Sequence, residues 1–477
     1  MMKSRRTKIV CTLGPAVDSF QAVRNLIKGG MNVARINMSH CDPPTAERWI
    51  NWIQKASQEQ GKLTAVLIDL PGPKFRLGIL QPDPLPVKRG SEVLACIASG
   101  TKPIPNAIPL PKGLFHLLQP HSRLIVGDGN PVLRVISLHR THATLRALSR
   151  GFLKSRQGIS LSGASSKLSA FTPLDQKLLH PLLSKGMDFV ALSFVRTPKD
   201  VKALRKFLSP HHSDVKIIAK IETREAIKNI QGILQESDGV LVARGDLGLQ
   251  LPLEQIPLWQ KKITDLGAQL GKPVIIATQM LESMMSQPKP TRAEVTDVMN
   301  AVLDGADALM LSGETAAGEY PLLALSTMNR FILTAEASKL FYQRMRARSL
   351  PSKQEATSAL AQSAQQISDT LNADAILSFS VTGFTARMIA RFRPKAPILC
   401  ATPRETTAKQ VSLLWGVQPL LCPPFGTTEE MIDVGIKTAL ARGLLHPGDL
   451  VVITAGLPVG KPGTTNLLTL KRITKTS

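Results

Sequence analysis

Short apolar, β-branched runs of strand length recur along the first two-thirds of the chain. Eight can be read: KIVCTLG (8–14), VARINMS (33–39), TAVLIDL (64–70), DFVALSF (188–194), KIIAKIE (216–222), GVLVARG (239–245), PVIIATQ (273–279) and ALMLSGE (308–314). Most are separated by segments of helical periodicity, such as AVRNLIKGG, PKDVKALRKFL and PLWQKKITDLGAQLG. Buried strands alternating with helices predict an α/β fold, a parallel (β/α)8 barrel. More than a hundred residues separate the third run from the fourth. Within that gap, residues 79–165 carry short alternating runs (VLACIA, RLIVGD, VLRVISL, ATLRAL) with Pro and Gly between them. This predicts an all-β domain inserted in a barrel loop, placed to act as a lid. After about residue 345 the pattern changes. EATSALAQSAQQISDTL reads as a helix, and AILSFS, PILCATP, PLLCP and LVVITAG alternate with helical segments. The expected division is a barrel over 1–78 and 166–345, a lid over 79–165, and a C-terminal α/β domain over 355–477, with LPSKQ (350–354) as linker.

Composition narrows the partners. The chain has 477 residues, and its formal net charge is +24. Residues 79–165 hold 11 lysines and arginines against three acids, so the lid is basic. Such a balance favours anionic ligands. Aromatic residues are only 4%, which leaves little material for stacking nucleic-acid bases, so nucleic acid is not expected as a partner. No apolar run approaches the ~20 residues of a membrane helix, and no signal-peptide hydrophobic region follows the basic N-terminus. The five scattered cysteines have no metal-pair spacing and suit a reducing cytoplasm.

In a barrel of this kind chemistry sits at the C-terminal ends of the strands. Polar residues gather there. The second run ends Arg35, Asn37, Ser39, every second residue and hence one face. The third ends at Asp69. The fifth places Lys220 and Glu222 on one face, the sixth ends at Asp246, the seventh gives Thr278, and the eighth gives Ser312 and Glu314. Glu222 and Asp246 are carboxylates from adjacent strands, a donor set that suits Mg²⁺ (or Mn²⁺) shared with a substrate. Gly245 lets the backbone approach a ligand. Lys220 beside such a metal can meet a transferring phosphoryl group. Arg244-Gly245-Asp246 also spells RGD, a common false match for an adhesion motif.

At this point TKIVCTLGPA, GMNVARINMSH, DLPGPKFRLG, AKIE, VARGDLG, IIATQMLESM, PTRAEVTDV and MLSGETAAGEYP resemble pyruvate kinase in order and spacing, over essentially the whole chain. The resemblance implies transfer of a phosphoryl group from phosphoenolpyruvate to ADP, giving ATP and pyruvate. It implies the same three-part layout, in a homotetramer. By resemblance Glu222 and Asp246 bind Mg²⁺, and Lys220 stabilises the transferring group. Arg35 and the Gly245–Asp246 backbone hold substrate, and Thr278 belongs to the group that protonates the enolate. Arg76 and His40 lie on the nucleotide side. Asn37, Ser39, Asp69 and the carbonyl of Leu70 form the family's monovalent-cation site.

The chain departs from the family at several positions. Met38 stands for Phe and Cys41 for Gly. Ala317 replaces a common Lys, and Arg156-Gln157 replaces Lys-Lys in a lid that reads as short. The usual TKGPE becomes Leu70-Pro71-Gly72-Pro73-Lys74. Members with Lys rather than Glu at the position of Lys74 tend not to need K⁺. A buried Asp69 needs a cationic partner, so Lys74 is expected to serve as an internal cation, held by the Pro-Gly-Pro corner. The competing reading has Lys74 facing solvent and K⁺ bound.

In the C-terminal domain, SFSVTGFTARMIARF (378–392) places Ser380, Thr382, Gly383 and Thr385 at a strand-to-helix turn. The segment resembles the family's sugar-phosphate loop, with Phe384 where Arg is often found. A sugar phosphate or AMP is the expected effector; plain N-capping by Thr382 is the simpler alternative. Two other functions fit parts of the pattern. A Mg²⁺-dependent barrel lyase or aldolase acting on phosphoenolpyruvate-like acids would use the same carboxylates but needs neither the lid nor ATQMLESM. A non-catalytic basic anion-binding protein would account for the charge but not for the strand-end cluster.

Overall fold

The computed structural model describes residues 5–73, 75–98, 105–127, 129–162, 169–210, 214–348, 350, 356–456 and 465–474. Lys74 and most of the expected linker lie outside the described residues.

The eight runs are eight parallel strands: β1 (Lys8–Thr12), β2 (Val33–Asn37), β3 (Ala65–Asp69), β4 (Phe189–Leu192), β5 (Lys216–Ile221), β6 (Gly239–Ala243), β7 (Val274–Ala277) and β8 (Ala308–Leu311). They close into a barrel in sequence order, β8 pairing back to β1 through Lys8 opposite Ala308. The strands are buried on both faces because helices cover the outside, which is why they read as continuous apolar runs rather than alternating ones. Inside, Val10, Leu67, Ile218, Leu241, Ile275 and Met310 belong to one packed cluster. Several of the surrounding helices start on side-chain caps. Thr172 with Asp175 and Thr291 with Glu294 each form a reciprocal capping box, which satisfies otherwise unpaired N–H groups.

Between β3 and β4 the chain builds a seven-stranded sheet with its own core, Leu114, Leu124, Val135 and Leu145 among it. Its edge strand is Phe75–Arg76, paired antiparallel with Gly158–Ser162, so the pairing begins almost as soon as the chain leaves the barrel. A separate two-stranded ribbon joins Leu85–Val87 to Gly151–Leu153.

The C-terminal domain is a five-stranded sheet, β9 (Ala375–Phe379), β10 (Ile398–Thr402), β11 (Val417–Leu421), β12 (Leu450–Ala455) and β13 (Leu467–Arg472), in the order β11-β10-β9-β12-β13. The last strand is antiparallel and lies beyond the four that the sequence pattern predicts. The domain seals the N-terminal end of the barrel. Lys8 Nζ donates to the carbonyl of Val417 at 2.6 Å, and Arg393 donates to Asp307 at 2.9 Å and to the carbonyl of Gly305 at 2.8 Å. Leu413, from this domain, is 1% exposed and packs within the barrel-interior cluster. The opposite end of the barrel, where the strands terminate, is left to face the inserted sheet.

Candidate active site

The strand ends bring one buried charge cluster together. Arg35, on β2, donates from Nε to Asp69 Oδ2 at 2.7 Å and from Nη1 to the Thr12 hydroxyl at 3.0 Å. Asp69 ends β3 and is 1% exposed. Lys220, on β5, places Nζ 3.3 Å from Asp69 Oδ1 and 2.9 Å from Glu222 Oε1. It also donates to the Ser193 hydroxyl at 2.8 Å. Ser193 in turn donates to the carbonyl of Leu70 at 2.7 Å. Strand geometry supplies this convergence: Ala191 is opposite Asp69 and Lys220 opposite Leu241, so neighbouring strands end at a common height.

Electrostatics follow from burial and pairing. Burial opposes ionisation of Asp69, but Lys220 and Arg35 outweigh it and hold the carboxyl below its usual range. For Lys220, burial favours the neutral amine, and Asp69 and Glu222 reverse that, raising it above the usual lysine range. Glu222 goes the other way. Its burial dominates, Lys220 offsets part of that, and Asp246 adds repulsion, so its carboxyl is held above the ordinary range. A buried carboxylate destabilised by a neighbouring carboxylate lacks positive charge nearby, which a divalent cation supplies. Among the described residues no group of three or more His, Cys, Asp or Glu could hold a metal. Glu222 and Asp246 are two neighbouring carboxylates, a number compatible with Mg²⁺ when water and substrate oxygens take its other positions.

Two strand-end turns are strained. Phe194, after β4, has φ 54°, and this turns its N–H onto Glu222 Oε2 at 2.7 Å. Thr278 and Gln279, after β7, have φ 69° and 55°. A β-branched residue in this region is a genuine outlier, each such residue costing on the order of 1–3 kcal/mol. Asp246 is placed differently from its expected position at a strand tip: it lies in the first turn of a short helix, Arg244–Gly248. The reason is local, because the Gly245 N–H turns to donate to Thr278 Oγ1 at 2.9 Å.

The remaining candidates fall into separate groups. Asn37 Oδ1 accepts from the Ser39 N–H at 3.1 Å, and the Leu70 carbonyl already receives Ser193. His40 and Arg76 are exposed and line a cavity of about 230 Å³ between the barrel end and the inserted sheet. Glu222, Asp246 and Gln250 form its barrel side, and Ile125, Gly127, Ile159 and Leu161 its other wall. Arg76 Nη1 reaches the carbonyl of Arg156 at 3.2 Å across the sheet edge. Ser312 and Glu314, polar residues at the eighth strand, stay out of the cluster. Glu314 accepts the N–H groups of Leu281 and Ser312. In the C-terminal domain Thr382 is exposed, while Thr385 is buried against Thr465 at 2.8 Å. Gly383 caps the following helix at φ 75° without a side-chain bond, so Thr382 is not its cap.

Sequence reasoning passed over Ser193 and Phe194. The signal was present: Ser193 is a lone hydroxyl at the end of an apolar strand, two residues beyond the partner of Asp69.

Comparison with known families bears on the whole chain. The family profile described as pyruvate kinase, barrel domain, matches residues 4–325, and pyruvate kinase, alpha/beta domain, matches 358–470. The chain is 40% identical over 469 residues to a pyruvate kinase of Geobacillus stearothermophilus, covering 97% of this chain and 80% of that protein. Similar values hold for pyruvate kinases of Staphylococcus saprophyticus (39% over 470 residues, 98% and 80%) and Bacillus licheniformis (39% over 470 residues, 97% and 80%).

Proposed function

The chain belongs to the pyruvate kinase family, and from that premise we propose how its residues divide the work of moving a phosphoryl group from phosphoenolpyruvate to ADP. It is a phosphotransferase, and its products are ATP and pyruvate. Phosphoryl transfer needs little covalent chemistry from protein; it needs positioning and charge. Lys220 meets the equatorial oxygens of the transferring group. The observation that carries this assignment is its cage: Asp69, Glu222 and Ser193 hold Nζ at one point, protonated. Arg35, fixed by Asp69 and Thr12, binds the substrate phosphate. The Gly245–Asp246 backbone holds the substrate carboxylate. Glu222 and Asp246 would bind Mg²⁺ or Mn²⁺, which when bound neutralises phosphate and carboxylate oxygens. Thr278, beside Gly245, takes part in delivering the proton that converts enolpyruvate to pyruvate. His40 and Arg76, at the cavity, take the nucleotide phosphates.

Three finer readings accompany this. The first is independence from K⁺, with Lys74 as internal cation at the site of Asn37, Ser39, Asp69 and Leu70. The second is a sugar phosphate or AMP at the turn of Ser380, Thr382, Gly383 and Thr385; the exposed Thr382 supports it, and the buried Thr385 restricts it to a structural part. The third is a cytoplasmic homotetramer divided as barrel (1–78, 166–345), lid (79–165) and C-terminal domain (355–477). All five cysteines are free, and among the described residues no helix is long and apolar enough to cross a membrane.

A coupled assay for pyruvate from phosphoenolpyruvate, ADP and Mg²⁺ tests the reaction. Repeating it in tetramethylammonium buffer tests the cation: near-full activity is expected, with a Lys74→Glu variant becoming K⁺-activated. Strong K⁺ activation of the unmodified protein would remove the role of Lys74. Titration of sugar phosphates and AMP against activity tests the effector turn, and flat curves with every candidate would remove it.

A further inference from the structure

Thr278 and Gln279 are consecutive left-handed residues, and neither is Gly or Asn, the types that enter that region readily. Strain of this kind persists only where surrounding contacts over-determine it. The contacts come from one side chain. Arg244 Nη2 donates to the carbonyl of Thr278 at 2.7 Å and to that of Gln279 at 3.2 Å. Its Nη1 donates to Asp297 Oδ1 at 2.7 Å. The Arg244 side chain is 10% exposed, so these bonds form largely away from water. The next residue supplies the opposite grip, the Gly245 N–H donating to Thr278 Oγ1. The Thr278 hydroxyl hydrogen is directed to its own preceding carbonyl, that of Ala277, at 2.6 Å. Arg244 and Gly245 thus fix both the backbone and the hydroxyl of Thr278 from one strand end.

We infer that Arg244, anchored by Asp297, is a positioning residue for Thr278: its planar fork holds the 278–279 turn in the strained form that presents the hydroxyl beside Gly245 and Asp246. Arg244 touches no reacting atom and acts through Thr278. A fork is needed because two carbonyls and a carboxylate must be bonded at once, which a lysine ammonium does with poorer geometry. An ordinary buried ion pair would instead contribute to stability alone.

The inference rests on the reading of Thr278 as a proton-delivering residue, and the experiment separates the two. Full-length Thr278→Ala, Arg244→Met, Arg244→Lys and the Arg244→Met/Thr278→Ala double variant are compared for kcat, for KM for phosphoenolpyruvate, and for solvent deuterium uptake into the methyl group of pyruvate. Arg244→Met should lower kcat and deuterium uptake on the order of a hundredfold, the scale expected for a misplaced catalytic group, with KM little changed. Arg244→Lys should recover part of the loss. The double variant should be no slower than Thr278→Ala, because both changes disable one unit. If Arg244→Met does not fold, Asp297→Asn provides the same test through the anchor, with a smaller kcat-specific loss expected. Multiplying losses in the double variant, or a lowered unfolding midpoint with wild-type kcat, would overturn the role of Arg244 while leaving Thr278 in place. Wild-type kcat in Thr278→Ala would remove both.

Discussion

Lys220 Nζ lies 2.9 Å from Glu222 Oε1 and shares its other side with Asp69. The lysine is therefore the counterion of two carboxylates that are each 1% exposed, as well as the cation proposed to meet the substrate. Replacing it has two consequences. Lys220→Met should lower phosphoryl transfer roughly a thousandfold or more, the range of a cationic phosphoryl stabiliser. It should also destabilise the protein, since removing one partner of a buried pair costs about 3–5 kcal/mol. Steady-state turnover and urea midpoints report the two separately, and near-wild-type turnover would exclude Lys220 from the chemistry.

Burial first, and then repulsion from Asp246, hold the Glu222 carboxyl above the ordinary range. Mg²⁺ should raise the melting temperature of the wild-type protein and raise it far less in Glu222→Gln. If Glu222 and Asp246 are the two metal ligands proposed, the same variant should lose activity by several hundredfold or more. Removing Mg²⁺ with a chelator should abolish activity in both. Thermal melts with and without Mg²⁺ give a readout independent of turnover; equal Mg²⁺ shifts in both proteins would show that Glu222 is not a ligand.

A second buried acid sets a pH dependence of stability. Asp188, just before β4, is 3% exposed, and burial pushes its carboxyl up to about 7. Its bond from the Val66 N–H and the charge of Lys409 counter part of that, and Glu405 adds to it. A raised acid favours the folded state while neutral. This contribution is fully present below the unfolded value of 3.8, declines as the pH rises, and is gone above about 7. Asp188→Asn keeps an acceptor for Val66 and cannot ionise. Its urea midpoint should exceed that of wild type at pH 8 by more than at pH 5. An equal difference at both would contradict the assignment.

The barrel was legible because its strands are buried on both faces: the apolar runs at β1 to β8 stand out, and their polar ends mark one rim. The strand β13 was not legible. Leu467–Arg472 is half-exposed along its length and ends in Lys471 and Arg472, so neither alternation nor a continuous apolar run announces it. Among the site residues that project from strands, Arg35 and Lys220 were found by period two and Asp69 by its place at a strand end. Their pairing was not: Asp69 was read as awaiting a cation from its own loop, whereas Arg35 and Lys220, distant in sequence, already face it. Residues placed by strained turns, Phe194 above all, leave no periodic trace. Arg244 was visible only as part of a misleading tripeptide.

The joint beneath the barrel gives the last prediction. Leu413 belongs to the C-terminal domain, yet it completes the barrel's interior among Val10, Val33, Phe189 and Ile275. The residues around it bind the two bodies together. Ser412 donates across the joint to the carbonyl of Leu63 at 3.0 Å, while Thr407, one helical segment earlier, donates within the C-terminal domain to the carbonyl of Val381 at 2.7 Å. A Cβ on Gly383 would stand 2.6 Å from Val411, so the 380–385 turn packs directly against this segment. Leu413→Ala should cost about 2–5 kcal/mol, as for a large-to-small change in a site that cannot collapse, here because the barrel wall is closed. Leu413→Met, of similar volume, should cost less than about 1.5 kcal/mol. Denaturant unfolding followed by tryptophan fluorescence is suited to the measurement, because Trp415 is fully buried two residues away. A Leu413→Ala midpoint equal to wild type would show that the side chain does not fill the barrel floor.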